Sequence, residues 1–201
     1  HAKDRRQRQM CIRDRVDALG ISGAMLQMIS HGLIAAAMFF VTGSFYERTN
    51  TLSIPNMGGL AKVLPITFAF FLASSLASLA LPGMSGFISE ITIFLGITSQ
   101  EGFTSLFRSI TILIAAIGLV LTPIYLLSMC RRVFFGPRIP ALATVAEMNG
   151  RELTIGLSLL LPTLMIGFWP KVAINLYESS TNALSQQLTL AKLVGLISTF
   201  N

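Results

Sequence analysis

Four stretches of this chain are too long and too apolar to fold in water, and they limit its architecture more than any other feature. About 20 apolar residues in a helix cover the hydrocarbon core of a bilayer. Residues 20–45 form the first such run, which ends at the polar turn Tyr46-Glu47-Arg48-Thr49-Asn50. Residues 109–130 form a second clean run. Residues 153–169 form a shorter one that stops at Trp169-Pro170-Lys171, an aromatic and a cation suited to the membrane interface. The remaining stretch, 63–99, would be about 55 Å long as one helix, and Leu81-Pro82-Gly83-Met84-Ser85-Gly86 interrupts it. Only 12% of the chain is charged, against about 25% in a soluble domain. A water-soluble fold is excluded.

Loop charge decides how the long stretch is used. The linker 46–62 carries Arg48 and Lys62 against Glu47, and the linker 131–152 carries Arg131, Arg132, Arg138 and Arg151 against Glu147 and Glu152. The linker 100–108 adds no such excess. If 63–99 crosses once, both basic linkers lie on one side, which the positive-inside rule makes cytoplasmic. The expected fold is therefore an all-α polytopic transmembrane bundle of about four crossings, the second broken at Leu81-Pro82-Gly83. Residues 18–171 are expected to form the membrane domain, and 172–201 an amphipathic tail along the surface.

The formal charge of +6 is concentrated at the start, where residues 1–17 hold six cations against three acids. That segment is unlike anything after it and is expected to be non-native or disordered, the alternative being a basic surface arm. The basic residues do not recur on a soluble face, so nucleic-acid binding is not expected. Cys11 and Cys130 stand far apart without a second ligand type nearby, so neither a disulfide nor a metal site is expected. There is no Gly-rich phosphate loop, so no nucleotide is expected to bind directly.

Two ionisable side chains fall inside the apolar runs. Glu90 sits in Phe87-Ile88-Ser89-Glu90-Ile91-Thr92, where an ionised carboxylate costs several kcal/mol unless paired or hydrated. An acid so placed is a proton carrier first of all. Gly83, Gly86 and Glu90 share one helical stripe, which leaves room beside the carboxyl for a helix or water. Pro82 removes a backbone donor and frees a carbonyl upstream, a feature membranes tolerate only beside protein or a water-lined cavity. The alternative for Pro82 is a kink that serves packing alone. His31 lies mid-span, with Gln27 one turn before it and Ser30 beside it. Imidazole can relay protons near neutral pH, or it can be a structural hydrogen-bonding group between helices.

The runs Gly23-Ala24-Met25-Leu26-Gln27-Met28-Ile29-Ser30-His31-Gly32, Met57-Gly58-Gly59-Leu60-Ala61-Lys62, Leu79-Ala80-Leu81-Pro82-Gly83-Met84-Ser85-Gly86-Phe87 and Leu121-Thr122-Pro123-Ile124-Tyr125 resemble the chain 4 family of cyanobacterial and plastid NAD(P)H–quinone oxidoreductase. These are antiporter-like, proton-pumping subunits of the complex I family. The resemblance covers nearly all of residues 18–190 and places them in the last four helices of a fourteen-helix subunit. It implies that His31 and Glu90 lie on a chain of buried polar residues that moves protons, with Gln27, Ser30, Pro82, Gly83, Ser85 and Gly86 in support. Lys62 is implied to be structural or gating. It further implies a subunit with no cofactor of its own, with quinone and iron–sulfur clusters held by partners. The expected partners are other membrane subunits and lipids, and the expected location is a cyanobacterial or plastid thylakoid membrane. The chain departs from the family in having no lysine inside a span, so a whole proton path is not expected from these residues. The alternatives are a subunit of a multi-subunit cation/proton antiporter and a non-transporting structural subunit.

Overall fold

A computed structural model describes residues 2–99 and 104–198, with side chains for 18–99, 104–188 and 190. Six α-helices account for most of it: α1 (Ala2–Thr49), α2 (Pro65–Ser78), α3 (Ser85–Ser99), α4 (Ser105–Phe135), α5 (Gly150–Phe168) and α6 (Lys171–Ser198). There is no strand among the described residues. Three segments are long and apolar enough to cross a membrane alone: Ala18–Thr49, Ser105–Phe135 and Gly150–Phe168. Helices α2 and α3, of 14 and 15 residues, are each too short.

Contacts with α1 show how the two short helices make one crossing. Phe71 packs edge-on against Phe45, and Ser75 reaches the sulfur of Met38. Further along, Ser89 meets Gln27, Ile93 meets Gly23 and Gly96 meets Gly20. Residue numbers rise on α2 and α3 as they fall on α1, so the two run end to end, antiparallel to α1. Helices α5 and α6 follow the same course. Gly167 sits on the backbone of Gly83 at the break, and beyond it the Tyr177 hydroxyl donates to the Ser22 carbonyl at 3.2 Å. The tail expected over 172–201 is thus helical through Ser198, with Ala173 and Tyr177 buried beside Leu26.

The break between α2 and α3 starts before the proline. Ala80 takes a left-handed conformation, φ 50°, and the last turn of α2 closes with Ala80 N–H to Ala77 O and Leu81 N–H to Leu76 O. These are the two bonds of a Schellman motif. Pro82 then prevents the helix from resuming, and Gly83, φ 94°, turns the chain into α3. The break fits against Phe168 of α5, 3.4 Å from where a Gly83 Cβ would stand.

The best-packed region lies at the opposite end of α2. Phe45, Phe71 and Phe134 form a ring cluster with centroids 5.1–6.1 Å apart, above the fully buried Leu60 and Leu64. Both basic linkers fold onto this end. They touch where Gly58 lies so close to the Pro137 carbonyl that a Cβ would stand 2.1 Å from its oxygen. The single-crossing expectation is met. Most of α4 projects outward, with Leu106, Leu113, Ile114 and Val120 each more than 60% exposed.

Candidate functional site

Glu90 is half-buried on α3, in the second turn after the break. It lines an open-sided cleft of ≈290 Å³ with Ser78, Leu79, Ile93, Phe94, Ala115, Gly118, Leu119 and Thr122. Its carboxyl makes no hydrogen bond or ion pair among the described residues. The Thr122 hydroxyl donates to Gly118 O at 2.9 Å and leaves its lone pairs free.

Two carbonyls on the cleft walls lack a helical donor, for different reasons. The residue four beyond Leu119 is Pro123, inside α4 and without an N–H. Ser78 is the last residue of α2, so its carbonyl is one of the orphans of the helix end. Both residues border Glu90. A protonated carboxyl can donate to such a carbonyl, while an ionised one needs water or a cation. The cleft has room for several waters, each taking about 30 Å³ in the liquid. The arrangement can hold Glu90 in either state.

The expected polar partners lie elsewhere, on a seam between α1 and α3. There Gln27 and Ser89 are in hydrogen-bond contact. The Ser89 hydroxyl also points at Ser85 O (3.1 Å) and Gly86 O (2.9 Å). One proton cannot serve three acceptors, so the sensible assignment has the Gln27 amide donating to Ser89 Oγ. The register that sets residue 27 opposite 89 brings Ser30 opposite Ser85. Both are fully buried, and neither hydroxyl has a partner among the described residues.

His31 joins neither group. It lies on the exposed side of α1 and does not line the Glu90 cleft. Gly86 is buried against Ala77 O and Ala80, so its role is close packing at the break. Pro82 is exposed and Gly83 partly so. Lys62 is exposed at the basic end, in a cleft shared with Arg138. No metal-binding cluster occurs among the described residues.

A second polar cluster was hidden in the linkers. Arg48, at the end of α1, donates to Glu152 Oε1 at 2.8 Å and Oε2 at 2.5 Å. It also donates to Ser44 O and Oγ, Ala146 O and Glu147 O. Glu152 is the third residue of α5 and caps it reciprocally with Asn149. Glu147 accepts from the N–H groups of Ile66 and Thr67 at the start of α2, from Thr67 Oγ1 at 2.5 Å and from Met148 N–H. Free N–H groups at a helix N-terminus favour a carboxylate. One linker thereby fastens the ends of α1, α2 and α5.

Burial alone would raise the Glu147 carboxyl, but the Thr67 hydroxyl and the Met148, Ile66 and Thr67 N–H groups outweigh it and hold it below its ordinary value of 4.5. A depressed folded pKa stabilises the fold above the unfolded value and stops doing so as pH falls through the folded one. Thermal midpoints of wild type and Glu147→Gln should therefore differ at neutral pH and converge in acid. A constant difference down to about pH 3 would contradict this role.

Residues 11–129 match the family described as NADH:quinone oxidoreductase/Mrp antiporter, TM. NAD(P)H-quinone oxidoreductase chain 4 1 of Synechococcus elongatus is 57% identical over 173 residues, which are 86% of this chain and 32% of the relative. NAD(P)H-quinone oxidoreductase chain 4 2 of Thermosynechococcus vestitus is 49% identical over 175 residues, 86% of this chain and 33% of the relative. The chain thus spans about a third of the length of these relatives. The solved respiratory complex I from Thermus thermophilus with bound NADH contains a similar chain, at 27% identity and a TM-score of 0.66, covering 85% of this chain and 36% of that one.

Proposed function

The chain belongs to the NADH:quinone oxidoreductase/Mrp antiporter membrane family, and from that premise we propose that it forms part of a transmembrane proton path in a quinone oxidoreductase of the chain 4 type. One observation carries the reading. Glu90 is a carboxyl inside an apolar crossing, without an ion pair or hydrogen bond among the described residues, in a cleft bordered by Ser78 at the end of α2 and by Leu119, whose helical donor Pro123 removes. Glu90 takes up a proton and, while protonated, donates a hydrogen bond to the Ser78 or Leu119 carbonyl. It releases that proton when water enters the cleft and stabilises the ionised form.

The redox steps belong to other subunits, with quinone and iron–sulfur clusters bound there. This subunit answers their electrostatic or conformational signal by moving a proton, as a translocase without a redox site of its own. The relatives' cyanobacterial origin favours a thylakoid membrane. His31, on the outer side of α1, enters the relay only through further helices or waters on that side. The family description also covers Mrp antiporters, but the relatives at 49–57% identity are chain 4 proteins, which favours the oxidoreductase.

The test is Glu90→Gln in the assembled complex, scored for proton pumping, quinone reduction and assembly. Pumping should fall at least about tenfold, at the low end for loss of a proton-transfer group, with assembly intact. Glu90→Asp should keep part of it. Unchanged pumping in Glu90→Gln would remove the residue from the path.

A further inference from the structure

The basic end of the molecule carries a second cleft that the proton path does not use. It measures ≈600 Å³ and is lined by Ile54, Pro55 and Met57 from the loop after α1, and by Arg131, Arg132 and Phe135 from the last turns of α4. Both arginines are exposed, and neither makes an ion pair or hydrogen bond among the described residues. They stand directly after the apolar run of α4, where a crossing helix meets the headgroup layer. Two guanidinium groups lining one cleft supply fork donors that match the oxygens of a phosphate or sulfonate.

A purely ionic site would not need what lies below. Leu127, Ile124, Val120, Ile117 and Leu113 follow Arg131 at spacings of three and four, on one stripe of α4, and each is 48–62% exposed. From Arg131 to Val120 is about 16 Å along the helix, half of a hydrocarbon core about 30 Å thick. A cationic head pocket above an apolar track one leaflet deep is the complement of an anionic lipid.

We propose that this cleft binds the headgroup of an anionic membrane lipid, with one acyl chain along the exposed stripe of α4. A soluble anion would leave the stripe bare. An acidic protein segment would not need a track that runs into the membrane.

The test uses the protein purified in its native assembly, in nanodiscs of phosphatidylcholine with or without a minor share of phosphatidylglycerol. Native mass spectrometry counts the lipids retained after extraction. Wild type should keep one phosphatidylglycerol per copy. Juxtamembrane cations each contribute about fivefold to anionic-lipid binding, so Arg131→Gln with Arg132→Gln should weaken retention roughly 25-fold. Lysine at both positions should restore most of it. Because arginines beside a crossing also set topology, Pro55→Glu serves as a second variant. It places a negative charge at the exposed mouth without touching α4 and should lower retention too. Retention as strong as wild type in both Pro55→Glu and the double glutamine variant would overturn the proposal. So would equal retention of phosphatidylcholine, or displacement of the lipid by inorganic phosphate alone.

Discussion

Arg48→Ala is expected to cost about 3–5 kcal/mol, the range for removing one partner of a largely buried ion pair. The side chains of Arg48 and Glu152 are only 9% and 17% exposed. Without the guanidinium, Glu152 keeps only the Asn149 N–H and the Ser44 hydroxyl, and the carbonyls of Ala146 and Glu147 lose a donor. The linker then holds the starts of α2 and α5 less firmly. A thermal melt of the assembled protein should show the loss. Protease should also cut the linker 136–149 sooner. Arg48→Lys should recover only part of the stability, because an ammonium has three donors and no fork. A double-mutant cycle gives the sharper answer. With Glu152→Gln in place no charge is stranded, so the pair should cost clearly less than the sum of the single changes. Additive effects would show that the ion pair is not what joins these helix ends.

The crossings are legible in the sequence because hydropathy is a property of single segments. Run lengths gave α1, α4 and α5, and the charge on two linkers implied one crossing for 63–99. The break was recognised from Pro82, but its first residue is Ala80, and nothing local marks an alanine that will turn left-handed. Two hydrogen bonds close that turn, and the fit of Gly83 against Gly167, far away in the sequence, seats it. Glu90 was legible for the same reason as the crossings, as a carboxyl in the wrong solvent. His31 was legible as a mid-span histidine, but not its direction. Helical spacing puts Gln27, Ser30 and His31 near one another on α1 without saying which of them faces α3. The Arg48–Glu152 clamp was missed because its members looked like ordinary loop charges. One signal was present: Asn149 and Glu152, three apart before an apolar run, are the ends of a capping box. Arg48, 104 residues away from its partner, had none.

Gly96→Val should be strongly damaging within the membrane domain. A β-carbon on Gly96 would stand 2.6 Å from Gly20 Cα and 2.9 Å from Gly20 N, with no flexible side chain to move aside. Three residues along α1, a β-carbon on Gly23 would stand 2.9 Å from Ile93 N. Helices α1 and α3 therefore meet backbone to backbone, as small residues allow in membranes. Forcing them apart should cost about 3 kcal/mol, the upper end for overpacking. It should also part Gln27 from Ser89 and tilt α3, which carries Glu90. Gly43→Ala is the control, since nothing lies within 4 Å of the added carbon, and alanine favours a helix over glycine by about 1 kcal/mol. Thermal stability and pumping should both fall in Gly96→Val and hold in Gly43→Ala. If pumping survived a large loss of stability in Gly96→Val, the seam would be packing only, and the proton would reach Glu90 without help from the placement of α3 against α1.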